Sequence, residues 1–232
     1  MRNISKQPSP NFDDRRFPVD MLVLHYTGME TGDAALERMC DEQASVSAHY
    51  MIREDGSVVQ LVDEEKRAWH AGVSRWQADE DLNSRSIGIE IVNGGHDWPR
   101  DDGSLPPYPD AQINAVIELS VEIISRWEIP QTRIVGHSDI APTRKQDPGE
   151  HFPWAKLAQA GIGLWPLSLA EADKSIEATL PMVGYDMRDS EAAVRAFQRR
   201  WRPSRVDGVA DPDTKSIATA VAALYATHRR NA

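Results

Sequence analysis

Between Val135 and Gly149 the chain gathers an imidazole (His137), two carboxylates (Asp139, Asp147) and two cations (Arg144, Lys145) in one segment punctuated by Pro142, Pro148 and Gly149. Proline removes a backbone donor and breaks helical and strand ladders alike, so this run reads as a loop folded around a point rather than a regular element. Far upstream, His25 ends the apolar run Met21-Leu22-Val23-Leu24, which reads as a buried strand whose last residue can face a cleft. His25, His137 and Asp147 together make an N/N/O donor set, the ligand count of a catalytic zinc that keeps its fourth position for water. Asp139 competes for the carboxylate place, although a position directly after His137-Ser138 suits a supporting hydrogen bond or a turn better. A cysteine-rich structural site is excluded, because Cys40 is the only cysteine.

A second set of residues could do chemistry beside such a centre. In Ser86-Ile87-Gly88-Ile89-Glu90-Ile91-Val92 the alternation puts the isoleucines on one face and Gly88 and Glu90 on the other. A carboxylate on so apolar a strand is costly to bury unless its charge is used, which makes Glu90 a candidate general base for an activated water. Lys145 would ordinarily be a surface lysine; two residues from Asp147 it is placed to serve a developing oxyanion. Trp69-His70-Ala71-Gly72 offers an aromatic plane and an imidazole beside a turn, which suits a sugar ring and equally suits a buried tryptophan. Trp69, His70, Asn93 and Arg144 are the candidate substrate contacts. His49 reads as structural, and His96, His151 and His228 as packing or surface residues.

The elements that must position these groups follow from periodicity and punctuation. Residues 1–17 read as an extended polar arm, and Val19–Tyr26 as a strand. A helix over Asp33–Glu42 is expected to be capped by Asp33 and to bury Cys40 on its inner face. The apolar runs His49–Arg53 and Val58–Val62 flank Asp55-Gly56, a hairpin signal. After an irregular stretch over 93–109, a helix capped by Asp110 runs to about Trp127 with Ile113, Ile117, Val121 and Ile124 on its buried face. A short strand over Arg133–Gly136 delivers His137, and a helix over Pro153–Ala160 leads to the boundary at Gly161–Pro166. From Ser168 onward the pattern is helical, with Val194, Phe197 and Trp201 in one stripe and Ile217, Val221, Leu224 and Tyr225 in another, separated by a turn over 206–214. The expected organisation is thus an arm over 1–17, an α/β domain over 18–166 and a small three-helix domain over 167–232 able to support its own core.

With 26 basic against 36 acidic residues the net charge is −10, which argues against a nucleic-acid partner. The basic cluster Arg195, Arg199, Arg200 and Arg202 reads as a solvated helix face. No apolar stretch reaches the roughly 20 residues that cross a bilayer. The N-terminal residues carry no signal-peptide pattern and the single cysteine fits a reducing compartment, so a cytoplasmic location is expected, with the periplasm as alternative had a leader been removed. No feature sets the oligomeric state.

The segments Leu24–Thr27, Ser47–Tyr50, Ala68–Gly72, Ser86–Glu90, Gly136–Pro142 and Arg144–Gly149 resemble, in this order, the type-2 N-acetylmuramoyl-L-alanine amidases, the zinc amidases that include AmpD and AmiD. Phe152-Pro153-Trp154 and Gly161–Pro166 look more like the AmiD branch, and Ala196-Phe197-Gln198 with Asp207-Gly208 looks like a three-helix peptidoglycan-binding domain, save that Ala210 stands where glycine is usual. The resemblance implies a central mixed β-sheet flanked by helices, with zinc at its edge. It implies the ligands His25, His137 and Asp147 and the catalytic pair Glu90 and Lys145. It also implies a substrate among peptidoglycan or muropeptide fragments, hydrolysed at the amide between the lactyl group of N-acetylmuramic acid and L-alanine. Recognition proteins of the same fold bind without cutting and usually lose a ligand; this chain keeps the set.

Overall fold

The continuous apolar run of the strand Met21–Tyr26 (β3) and the isoleucines of Ser86–Ile91 (β7) set the architecture, because both strands lie buried. The computed structural model describes residues 4–230. β3 and β7 lie parallel at the centre of a mixed six-stranded sheet of order β1-β5-β4-β7-β3-β8. Its other strands are β1 (Ile4–Lys6), β4 (Tyr50–Ile52), β5 (Val58–Gln60) and β8 (Ile134–Gly136). β2 (Phe12–Asp14) pairs separately with β6 (Lys66–Ala68), and the short helix α2 (Leu82–Arg85) runs directly into β7.

One face of the sheet presents Leu22, Leu24, Ile87, Ile89 and Ile91 to the helix α3 (Asp110–Trp127) and to Trp154 and Leu157 of α5 (Trp154–Gln159). The opposite face is covered in two separate patches. Met21, Val23 and Val135 pack under α6 (Ile176–Val183), α7 (Ser190–Trp201) and α8 (Pro212–Arg230). Met51 and Val59 pack under α1 (Gly32–Cys40). Strand parity puts His25 and Glu90, which are register partners on β3 and β7, on this second face. The sheet thereby carries both side chains into the gap between the patches.

Several local expectations change. Residues 1–3 of the arm lie outside the described residues; from Ile4 it is extended and paired, β1 adding to β5 in parallel and β2 pairing antiparallel with β6. The hairpin forms as expected, with Gly56 at φ 84° in a place where a Cβ would come within 2.7 Å of the Ala111 carbonyl. Thr31, not Asp33, caps α1, its side chain accepting from the Ala34 N–H. Cys40 ends α1 half-buried. α3 starts at Asp110 after Pro109 and buries Ile113, Val116, Leu119 and Ile123, leaving Val121 exposed. Two apolar stripes lie side by side on that helix, and periodicity alone does not say which one the sheet takes. His137–Ile140 forms a helical turn (α4) where a loop was expected, because Pro142 falls beyond its end.

The C-terminal helices form at the expected stripes. Phe197, Val221 and Tyr225, however, share one hydrophobic cluster with Met21, Val23, Trp76 and Val135 from the sheet side, so the helices close their core on the rest of the chain. Arg199 and Arg200 are buried there, contrary to the solvated face that their charge suggested.

Candidate active site

The two ends of the 136–150 segment are tied together before any side chain acts. Gly136 closes β8, α4 begins at once with His137, and the Ser138 N–H donates to the Asp147 carbonyl at 2.8 Å. This brings His137 and Asp147 to the end of β3, where His25 stands. His25 Nδ1 lies 2.9 Å from His137 Nδ1 and 3.0 Å from Asp147 Oδ2, and His137 Nδ1 lies 3.1 Å from the same oxygen. All three residues are buried.

The outward-facing nitrogens decide what this triangle can hold. His137 Nε2 is 3.1 Å from the Ala71 carbonyl, which can only accept, so Nε2 carries the proton and Nδ1 presents its lone pair inward. On the other side a chain of donors runs to Leu82. The Ser86 hydroxyl donates to the Leu82 carbonyl, so it accepts from His70 Nε2 at 3.2 Å. His70 Nδ1 is then an acceptor and takes the proton of His25 Nε2 at 3.0 Å. His25 Nδ1 too is left with a bare lone pair facing inward. Two lone pairs and a carboxylate oxygen with no proton among them fit a cation with nitrogen and oxygen preference. Ligands about 2.0–2.1 Å from a tetrahedral zinc stand about 3.3 Å apart, close to the spacing seen here.

The electrostatics agree. Burial, then the neighbouring His137, hold His25 down at about 4, so it stays neutral at physiological pH. Burial opposes ionisation of Asp147, but His137 and His25 beside it hold its carboxyl well below the usual carboxylate range. Glu90 lines the same cleft of about 290 Å³ and is pushed well up by burial and then by the charge of Asp147, with Lys145 opposing. Its Oε2 is shut off from water and has no hydrogen-bond partner among the described residues. Lys145 lines the cleft as well.

Trp69 and Arg144 also line this cleft, as a substrate contact would. Arg144 is partly committed, donating from Nε and Nη2 to the Val73 carbonyl and from Nη2 to that of Ala71. His70 lines the cleft as well, with both ring nitrogens already engaged and the ring so close to β7 that a Cβ on Gly88 would come within 2.5 Å of it. Asn93 does not face substrate. Its amide donates to the Pro106 and Pro107 carbonyls and its oxygen accepts from the Gly95 N–H, which braces the 93–109 loop. Asp139 is no ligand, since its oxygens accept from the Gly136 N–H, the Tyr185 hydroxyl and Arg200. His49 is structural, its Nδ1 accepting from the Gly88 N–H at 2.9 Å.

Against this geometry, the family model described as N-acetylmuramoyl-L-alanine amidase matches residues 15–150, a span that contains His25, Glu90, His137, Lys145 and Asp147. The chain belongs to that amidase family. This amidase is 38% identical over 235 residues to AmiD of Escherichia coli K12, covering 89% of this chain and 83% of AmiD. It is also 38% identical over 171 residues to the 1,6-anhydro-N-acetylmuramyl-L-alanine amidase AmpD of Enterobacter cloacae, covering 65% of this chain and 86% of that one. Among solved structures, E. coli AmiD in complex with the substrate anhydro-N-acetylmuramic acid-L-Ala-D-gamma-Glu-L-Lys superposes with a TM-score of 0.80 at 36% identity, covering 89% of this chain and 90% of AmiD. AMPDH3 of Pseudomonas aeruginosa with anhydromuramic pentapeptide superposes at 0.78 and 34% identity, covering 94% and 96%. The mixed sheet flanked by helices is the fold of these amidases. No helix among the described residues is long and apolar enough to cross a membrane.

Two features of the site had no clear sequence signal. Nothing in the sequence pairs Asp139 with Arg200, which is 61 residues away. The His70–Ser86 contact was half visible, because strand parity already set Ser86 on the face of Gly88 and Glu90.

Proposed function

We propose that this amidase binds one zinc ion through His25, His137 and Asp147 and hydrolyses the amide between the lactyl group of muramic acid and L-alanine in muropeptides and peptidoglycan fragments. The observation that carries this reading is the convergence of two imidazole lone pairs and one carboxylate oxygen, with the unpaired Oε2 of Glu90 in the same cleft. The ligands bound to the related AmiD and AMPDH3 structures support the substrate class.

Zinc held there would supply Lewis acidity toward the attacking water and the scissile carbonyl. Glu90 takes the proton from the attacking water. Its high proton affinity in an apolar setting suits it to hold that proton and pass it to the leaving amine of L-alanine. Lys145 places a positive charge where the carbonyl oxygen becomes negative. Trp69 gives the sugar or lactyl portion an apolar wall, and Arg144 offers the rest of its guanidinium to a substrate oxygen. Residues 167–232 are proposed in addition as a peptidoglycan-binding unit, tested by cosedimentation of that segment's variants with sacculi.

Catalysis and mere recognition separate in one assay. The parent protein should release L-alanyl peptide from soluble anhydro-muropeptide, lose that activity on exhaustive chelation and regain it with added zinc. Binding of the muropeptide without release would establish the recognition reading instead.

A further inference from the structure

α7 reaches the metal-ligand segment at both of its ends. At the His137 end, Arg200 Nη1 donates to Asp139 Oδ2 at 2.8 Å and Nη2 donates to the Ile134 carbonyl at 3.1 Å. The same Asp139 oxygen accepts from the Gly136 N–H at 2.9 Å, immediately before His137. The Tyr185 hydroxyl, in the turn between α6 and α7, donates to Asp139 Oδ1 at 2.6 Å. At the Asp147 end, Arg199 Nη2 donates to Gln146 Oε1 at 3.3 Å, and its Nε lies 3.4 Å from Glu150 Oε2.

The Arg200–Asp139 pair is built to be rigid. The side chains are 2% and 1% exposed, and the guanidinium lies over the rings of Trp154 at 4.0 Å and Trp201 at 4.6 Å. A pair so deeply buried is weak evidence of added stability, since hydrophobic residues of similar volume often do as well. What the pair supplies in return is direction: it fixes the turn from which His137 projects. Ser138 transmits that position to Asp147 through its backbone bond.

We infer that Arg199 and Arg200 are positioning residues of the metal centre, with α7 as the clamp that holds His137 and Asp147 in register with His25. The inference rests on the reading of those three residues as metal ligands. It gives residues 167–232 a role in assembling the site, whether or not they also touch the polymer. Outer partners of metal ligands typically change metal affinity 10–100-fold when removed.

The test is zinc affinity of the full chain, measured by competition with a chromophoric chelator, with unfolding followed separately by circular dichroism. Arg200→Met keeps apolar volume against the two tryptophans and leaves Asp139 unpaired. The folded variant should bind zinc about 10–100-fold more weakly. Combining it with Asp139→Asn removes the stranded charge and should recover folding stability without restoring zinc affinity, because the clamp is still absent. A purely structural role predicts the reverse, a lowered melting temperature with parent zinc affinity once folded, and that result overturns the proposal. Should Arg200→Met not fold, Arg199→Ala decides in the same way at the Asp147 end. His25→Ala serves as the control: if it binds zinc as the parent does, the ligand reading itself fails and the clamp with it.

Discussion

His70 Nδ1 stands 3.0 Å from His25 Nε2, and the direction of that hydrogen bond decides whether the inward-facing Nδ1 of His25 carries a proton or a lone pair. The proton on His25 Nε2 is fixed there by the chain through His70 and Ser86 to the Leu82 carbonyl. In the proposed metal-binding reading, His70 is thus the partner that orients His25. His70→Phe keeps a ring in the space but takes away the acceptor. Zinc affinity should drop about 10–100-fold, and the ring-nitrogen NMR shifts of His25 in the metal-free protein should lose their single-tautomer pattern. Parent affinity together with an unaltered His25 tautomer would sink this assignment.

Glu90 offers a prediction with two opposite arms. As general base it should cost about 10²–10⁴-fold in kcat when changed to Gln, with zinc still bound. Its stability effect goes the other way. The folded-state carboxyl is pushed well above the 4.5 of the free side chain by burial and by Asp147, so its contribution to stability is intact at low pH and is lost as pH rises toward the folded value. In the metal-free protein at neutral pH, Glu90→Gln should thus raise the melting temperature, and the gain should vanish below about pH 4. A variant that is slower but no more stable would show that the carboxylate is better accommodated than its unpaired Oε2 implies.

How much of this was legible beforehand depended on the range of each interaction. β3 follows from its apolar run, and β7 with Glu90 opposite the isoleucines from strand alternation; both are local signals, and the structure keeps them. The convergence of His25, His137 and Asp147 was readable because two of the three share one short segment. Asn93 braces the 93–109 loop, and His70 lines the cleft with both ring nitrogens engaged; a polar residue near a cleft looks the same in sequence whether it meets substrate or holds a neighbour. The burial of Arg199 and Arg200 was not legible either, since the carboxylates paired with them, Asp139 and Glu150, and the Gln146 amide oxygen lie some fifty or sixty residues away and no periodicity links them. Long-range pairing of buried charge is a tertiary fact.

His49 gives the pH dependence a handle outside the ligand set. Burial, and then the charge of Arg15, hold its folded-state value down at about 3, against 6.5 for the free side chain. The unfolded chain therefore takes up the proton first. Stability is unaffected above about pH 6.5 and falls as pH drops toward 3, by at most about 1.4 kcal/mol per pH unit for this residue. His49→Asn retains an acceptor for the Gly88 N–H and cannot protonate, so its stability should decline less steeply between pH 6 and 4 than the parent's. Parallel denaturation curves for the two proteins across that range would count against a neutral, buried His49.

Cutting the chain after Pro166 separates two views of the C-terminal helices. A tethered binding unit raises local concentration on a polymer and does nothing for a small diffusible substrate, so its removal should spare hydrolysis of soluble muropeptide. The shared core points elsewhere. Trp76 is fully buried against Tyr185, with ring centroids 5.1 Å apart, and Met21, Val23, Val135 and Ile140 lie in the same cluster as Leu180, Phe197 and Val221. Each large apolar side chain is worth about 1.5–3 kcal/mol when buried. Uncovering several of them therefore competes with the roughly 5–15 kcal/mol that holds a typical domain together. Asp139 would at the same time lose Arg200 and the Tyr185 hydroxyl. The truncated protein is expected to aggregate or to bind zinc weakly, and to lose hydrolysis of soluble muropeptide along with that of sacculi. A soluble 1–166 fragment that cuts the small substrate at the parent rate would show that the sheet and its loop hold the site unaided.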